Sequence, residues 1–136
     1  MDALIIEDNA ELAAVWRIIL EERGHSVTWA RSAREGHTKI ATSAFHLVLS
    51  DLLLGDASAL GILDYARVKN PEARIVLITG SNAYAHGELH SLAPAADWIL
   101  RKPVSVDVLT AILDYLDKDV FCYLVRTPPN LRAMSA

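Results

Sequence analysis

The sequence predicts an α/β fold of the doubly wound kind: a five-stranded parallel sheet with helices on both faces. Three observations predict it. Short apolar runs at Ala3-Leu4-Ile5-Ile6, Leu47-Val48-Leu49 and Ile75-Val76-Leu77-Ile78 lack the alternation of a one-sided strand, so both of their faces are buried. Each run ends in polar residues: Glu7-Asp8-Asn9, Ser50-Asp51 and Thr79-Gly80-Ser81. Such ends reach the rim where α/β proteins place their ligands. Segments with helical spacing separate the runs, as βαβ units require.

The elements follow in order. The first strand, Ala3 to Ile6, leads into a helix from about Ala10 to Arg23 with Leu12, Val15, Trp16, Ile19 and Leu20 at helical spacing. Asn9 can cap its start, and Gly24 sits where a left-handed residue ends a helix. Ser26-Val27-Thr28-Trp29 is short and alternating, which suits a strand at a sheet edge. Ser32 and Glu35 have capping-box spacing and open a second helix to about Thr42. The third strand ends at Asp51. Ser58 is the expected cap of a third helix carrying Leu60, Leu63 and Val68, closed by Asn70-Pro71. After the fourth strand, Arg74 to Thr79, the stretch Asn82 to Leu92 has little apolar surface and predicts a short, mobile helix. Trp98-Ile99-Leu100 is the fifth strand. A last helix starts near Ser105, and Leu109, Ile112, Leu113 and Leu116 continue in register through Leu124, before Thr127-Pro128-Pro129.

Composition narrows the function classes. The chain has 136 residues, 52% hydrophobic and 22% charged, enough for one full core. Asp and Glu number 17 against 13 Lys and Arg with no basic patch, so direct nucleic-acid binding is not expected. The single Cys122 excludes an internal disulfide and fits a reducing compartment. The N-terminus lacks the pattern of a signal peptide, and no apolar run reaches membrane-span length. A cytoplasmic protein without membrane contact is the expectation. No Gly-x-Gly-x-x-Gly follows the first strand and no Walker loop appears, so a nucleotide is not the obvious ligand.

The strand ends carry the chemistry. A doubly wound sheet gathers Glu7 and Asp8, Asp51, Thr79 and Lys102 on one rim. Asp51 alone could equally cap a helix or begin a turn; the company it keeps changes that reading. Clustered carboxylates repel one another unless a cation intervenes, and hard oxygens suit Mg²⁺. Lys102 adds a compensating charge and can hold an anion, and Thr79 supplies a hydroxyl donor. Phosphoryl transfer to a carboxylate would use the whole set.

Ile6-Glu7-Asp8-Asn9, Leu49-Ser50-Asp51-Leu52, Ile78-Thr79-Gly80 and Arg101-Lys102-Pro103 resemble, in order and spacing, the receiver domain of two-component response regulators over residues 3 to about 117. The resemblance implies a flavodoxin-like (βα)5 fold. It implies that Asp51 accepts a phosphoryl group from a histidine kinase or phosphotransfer protein. Asp8, Asp51 and the backbone carbonyl of Leu53 would bind Mg²⁺, with Glu7 acting largely through water. Thr79 and Lys102 would bind the phosphoryl oxygens. The chain departs from the family at Gly55, often proline, at Ala59, often glycine, and at Gly80, often alanine. Ile99 stands where an aromatic usually swings with phosphorylation, with Trp98 beside it. Leu53 places an apolar side chain where many relatives have a polar one.

The resulting expectation is a stand-alone receiver over residues 1–119, with 120–136 as a helical extension and tail. It is a switch rather than a turnover enzyme, and it signals to a downstream protein through the fourth helix, fifth strand and fifth helix. Val120 to Val125 extends the apolar stripe and suggests a homodimer along the last helix. The alternatives are a phosphorylation-independent binding module with the same fold and a metal-dependent phosphatase. The latter class tends to carry a second acid two residues after the first, where Leu53 stands. His86 and His90 are four apart but lack a third ligand, and read as a solvated pair.

Overall fold

A computed structural model of the chain describes residues 1–55, 57–80 and 86–126, with side chains described outside His86, Gly87 and 119–126. It divides into two compact units, Met1–Lys102 and Pro103–Ala136.

The first unit holds the sheet. Five parallel strands, β1 (Asp2–Ile6), β2 (Ser26–Ala30), β3 (Leu47–Asp51), β4 (Arg74–Thr79) and β5 (Trp98–Arg101), lie in the order β2-β1-β3-β4-β5. The sequence places β2 at an edge, and it is one. The chain leaves β1 toward β2 on one side and returns to β3 on the other, which makes the end of β1 a switch point where a ligand crevice opens. Parallel register sets Ile6 beside Ser50, Asp51 beside Ile78 and Thr79 beside Arg101. The residues following the strands therefore arrive at one rim.

Helices α1 (Ala10–Glu22), α2 (Ala33–Thr42), α3 (Leu60–Lys69) and α4 (His86–Leu92) connect the strands. One core joins Leu4, Ile6, Val48, Ile75 and Leu77 of the sheet to Ile40 of α2, Leu63 and Ala66 of α3, and Leu89 of α4. α1 packs on β1 and β2 with Ala13, Trp16 and Leu20 buried. Asn9 caps α1 by accepting the Leu12 N–H at 3.0 Å, and Gly24 follows at φ 85°, the left-handed turn its position predicts. Gly36 lets α2 approach β1, since a Cβ there would lie 3.0 Å from Ile6 Cδ1. The rings of His37 and Tyr65 meet in a tilted contact between α2 and α3, centroids 4.5 Å apart.

Several details differ from the sequence expectation. Ser58 does not cap α3: the cap residue is Ala59, without a side-chain bond, while Ser58 pairs with Leu53 in an isolated bridge and accepts the Leu60 N–H. The loop after β3 is closed by the Leu54 N–H on the Ala57 carbonyl and the Ala59 N–H on the Leu52 carbonyl. Val68, placed on the apolar face of α3, is 78% exposed, and Val15 of α1 is also exposed. Both lie at the margin of a stripe that periodicity draws too wide. In the α2 box, Ser32 Oγ accepts the Glu35 N–H, but Glu35 reaches back to the Arg31 N–H, one residue before the cap. α4 begins at His86, within the expected stretch. The expectations for residues 81–85 and for the side chains of His86 and Cys122 lie outside the described residues.

Arg67 was invisible as a structural residue in the sequence. Its guanidinium donates to the carbonyls of Pro71, Ala73 and Ala95 and to Asp97 Oδ2, which also accepts the Ile75 N–H at 2.8 Å. One planar fork thus ties α3 to the starts of β4 and β5. Arg67→Ala is expected to destabilise the protein by about 3 kcal/mol, because several carbonyls lose a charged donor together. Arg67→Lys should recover little of it. Urea unfolding of the three proteins checks this; a loss too small to resolve would contradict it.

The second unit is described through α5 (Val106–Arg126), a single helix of 21 residues, as the continuous stripe predicts. Ser105 caps it, accepting the Val108 N–H at 3.1 Å. Leu109, Leu113 and Leu116 are buried, whereas Val106, Val108 and Tyr115 are exposed. The dimer expectation rests on Val120 to Val125, whose side chains lie outside the described residues. No helix among the described residues is long and apolar enough to cross a membrane.

Candidate functional site

The rim residues converge as the strand ends require. Glu7, Asp8 and Asp51 present carboxylate oxygens within 4.8 Å of one another. Glu7 is 1% and Asp51 8% exposed, while Asp8 is open to solvent. Lys102 Nζ lies 3.0 Å from Asp51 Oδ2 and 3.4 Å from Glu7 Oε2. The Lys102 N–H donates to the Thr79 carbonyl at 2.8 Å, which locks the ends of β4 and β5 together, and the Thr79 side chain is buried at the same rim. Beyond β3, Leu52 N–H still bonds Ile78 and Ala59 N–H bonds Leu52, so the loop carrying Leu53 is held close after Asp51. The Leu53 side chain is 56% exposed.

Three acids beside one lysine leave net negative charge in a partly desolvated cleft. Burial pushes the Glu7 carboxyl up to about 7. The Asn9 N–H on Oε1 opposes this, the Asp51 charge adds to it, Lys102 opposes it, and a hydrogen bond with Asp8 adds again. Burial alone would lower Lys102; its bond to Asp51 and the charges of Asp51 and Glu7 overcome this and raise it above its ordinary value. The ammonium therefore stays charged throughout the neutral range. The cluster fits Mg²⁺: the donors are hard oxygens, excess negative charge needs a cation, and exposed Asp8 leaves room for retained water.

The raised Glu7 pKa has a testable sign. The folded state keeps a proton that the unfolded state releases between 4.5 and about 7. Glu7 therefore contributes stability at acid pH that is lost as pH rises through about 7. Mg²⁺ competes with that proton. Added Mg²⁺ should raise the melting temperature more at about pH 8 than at about pH 5.5, by up to ~3 kcal/mol of stabilisation at a hundredfold excess over Kd. Thermal melts at the two pH values check it; equal stabilisation at both would contradict it.

The sequence reading anticipates Glu7, Asp8, Asp51, Thr79 and Lys102 at one rim. It misses Trp29, which it places only in the edge strand. The indole Nε1–H donates to the Glu7 carbonyl at 2.8 Å, and the Arg31 guanidinium lies 4.5 Å over the ring. Its place at the end of an edge strand beside β1 is the one signal that could have found it. At the position of the swinging aromatic, Ile99 is buried in the core and Trp98 is half-buried.

The chain is similar to known proteins. The family described as response regulator receiver domain matches residues 3–114. The alginate biosynthesis transcriptional regulatory protein AlgB of Pseudomonas putida is 33% identical over 106 residues, which are 78% of this chain and 23% of that protein. The chain thus spans less than a quarter of that relative. The response regulator protein TrrA of Thermotoga maritima, solved in complex with Mg²⁺-BeF, is similar with a TM-score of 0.72 and 25% identity, covering 85% of this chain and 97% of that one. A response regulator protein from Burkholderia pseudomallei, solved with a phosphorylated aspartic acid, calcium ion and citrate, has a TM-score of 0.73 and 28% identity, covering 93% of this chain and 75% of the other.

Proposed function

This chain belongs to the response regulator receiver domain family, and on that premise we propose that it is a phosphorylation-activated signalling switch whose acceptor is Asp51. The observation that carries the reading is the placement of Lys102 Nζ against Asp51 Oδ2 and Glu7 Oε2 inside a cluster of three carboxylates. The donor is a phosphohistidine of a histidine kinase or phosphotransfer protein. An Asp51 oxygen attacks phosphorus; the O–P bond forms, the P–N bond breaks, and its electron pair leaves on the imidazole. Later, water attacks phosphorus and returns the carboxylate, inorganic phosphate and a proton. Turnover is not the purpose of the cycle.

Each rim residue has a part. Glu7, Asp8, Asp51 and the Leu53 carbonyl would hold Mg²⁺, which supplies neutralising charge for the transferring group. Lys102 exchanges its carboxylate partner for a phosphoryl oxygen, and the Thr79 hydroxyl donates to another. Because these contacts are better in one conformation than another, the phosphoryl group shifts a population. The changed surface then meets a downstream protein, with the reaction set in the cytoplasm.

Intact mass after incubation with Mg²⁺ and acetyl phosphate tests the reading. A gain of one phosphoryl group that a chelator prevents supports it. No gain would favour a receiver-like binding module that works without phosphorylation. The exposed apolar side chain of Leu53, two residues after Asp51, should hinder an attacking water. Leu53→Asn is therefore expected to lose the phosphoryl group faster than wild type; equal decay measured by mass would contradict it.

A further inference from the structure

Glu7 and Asp8 are neighbours in sequence, so the peptide group between them decides where both carboxylates point. Its carbonyl accepts the Trp29 indole N–H at 2.8 Å, and the Glu7 N–H donates to the Ala30 carbonyl at 3.1 Å. Edge strand β2 thus grips Glu7 from both backbone atoms. The indole is itself fixed: the Arg31 guanidinium stacks 4.5 Å from its centroid, and the Arg31 N–H is held by Glu35 Oε2 at 2.8 Å. Glu35 belongs to α2, whose cap Ser32 in turn holds the Glu35 N–H. A chain of contacts therefore runs from the start of α2 through Arg31 and Trp29 to the peptide that joins two acids of the cluster.

We propose that Trp29 is a positioning residue for the divalent-cation site, orienting the Glu7–Asp8 peptide through its indole N–H. The inference rests on the reading of Glu7, Asp8 and Asp51 as the cation site. A carbonyl without that donor can rotate toward water, and Asp8 turns with it. Groups that orient metal ligands in this way commonly affect affinity by tenfold or more.

Mg²⁺ binding by calorimetry tests this without reference to phosphorylation. Trp29→Phe keeps a ring under Arg31 and removes the donor. Its Kd should rise about tenfold, while its metal-free melting temperature changes little. Trp29→His, which can again offer an N–H, should recover part of the affinity. In a protein whose sole tryptophan is Trp29, through Trp16→Phe and Trp98→Phe, emission should change with Mg²⁺ at the calorimetric midpoint. An unchanged Kd in Trp29→Phe, or emission blind to bound Mg²⁺, would overturn the inference alone. A wild type that binds no Mg²⁺ would overturn the site reading and this inference with it.

Discussion

Asp51→Asn is expected to take up no phosphoryl group from acetyl phosphate while remaining folded. The amide keeps the size of the carboxylate but has no anionic oxygen to attack phosphorus. Lys102 loses its partner at 3.0 Å and retains Glu7 at 3.4 Å. One negative charge leaves a crowded cleft, so repulsion among the acids falls and the melting temperature should hold or rise. Mg²⁺ should bind more weakly, since one of three carboxylates in the cluster is gone. Intact mass together with a thermal melt reads all of this. Undiminished uptake in the variant would place the acceptor elsewhere.

Lys102→Met separates charge neutralisation from metal binding. The ammonium is the one cation that the described residues bring against both Asp51 and Glu7. Its removal leaves the phosphoryl oxygens without a preorganised partner. A donor of this kind aimed at developing charge is worth about 10²–10³ in rate, roughly 3–4 kcal/mol. Phosphoryl uptake should slow by that factor. Mg²⁺ should bind at least as tightly as in wild type, because a competing positive charge has left the same oxygens. The opposed directions distinguish this role from general damage to the site. A variant that loses Mg²⁺ binding and uptake together would contradict it; single-turnover uptake and calorimetry provide the two readings.

The parts of the fold that a local rule governs were legible in the sequence. Buried parallel strands announce themselves as unbroken apolar runs, and Asn9 and Gly24 mark the ends of α1 through their own chemistry. The rim was legible because parallel strands deliver their last residues to one side, which turns Asp8, Asp51, Thr79 and Lys102 into neighbours without any knowledge of packing. Contacts that depend on atoms far apart in sequence were not. Arg67 reads as a solvated residue in the last turn of α3 until Ala95 and Asp97 are brought to it. Trp29 reads only as part of an edge strand until its N–H is found on Glu7. Ser58 looks like the cap because the sequence does not show that α3 starts one residue later, with Ala59 as its cap residue and the Ser58 hydroxyl on the Leu60 N–H. Val15 and Val68 show the limit of periodicity, which assigns a direction on a helix but not the width of the surface that covers it.

Reductive trapping tests the central assignment most directly. An acyl phosphate, unlike a phosphoester, is reduced by borohydride to an alcohol, which turns the acceptor aspartate into homoserine. Wild type treated with Mg²⁺ and acetyl phosphate, then reduced and digested, should carry homoserine at position 51 and carry none when the metal is chelated. Homoserine at another aspartate, or its absence despite a gain of phosphoryl mass, would contradict the account.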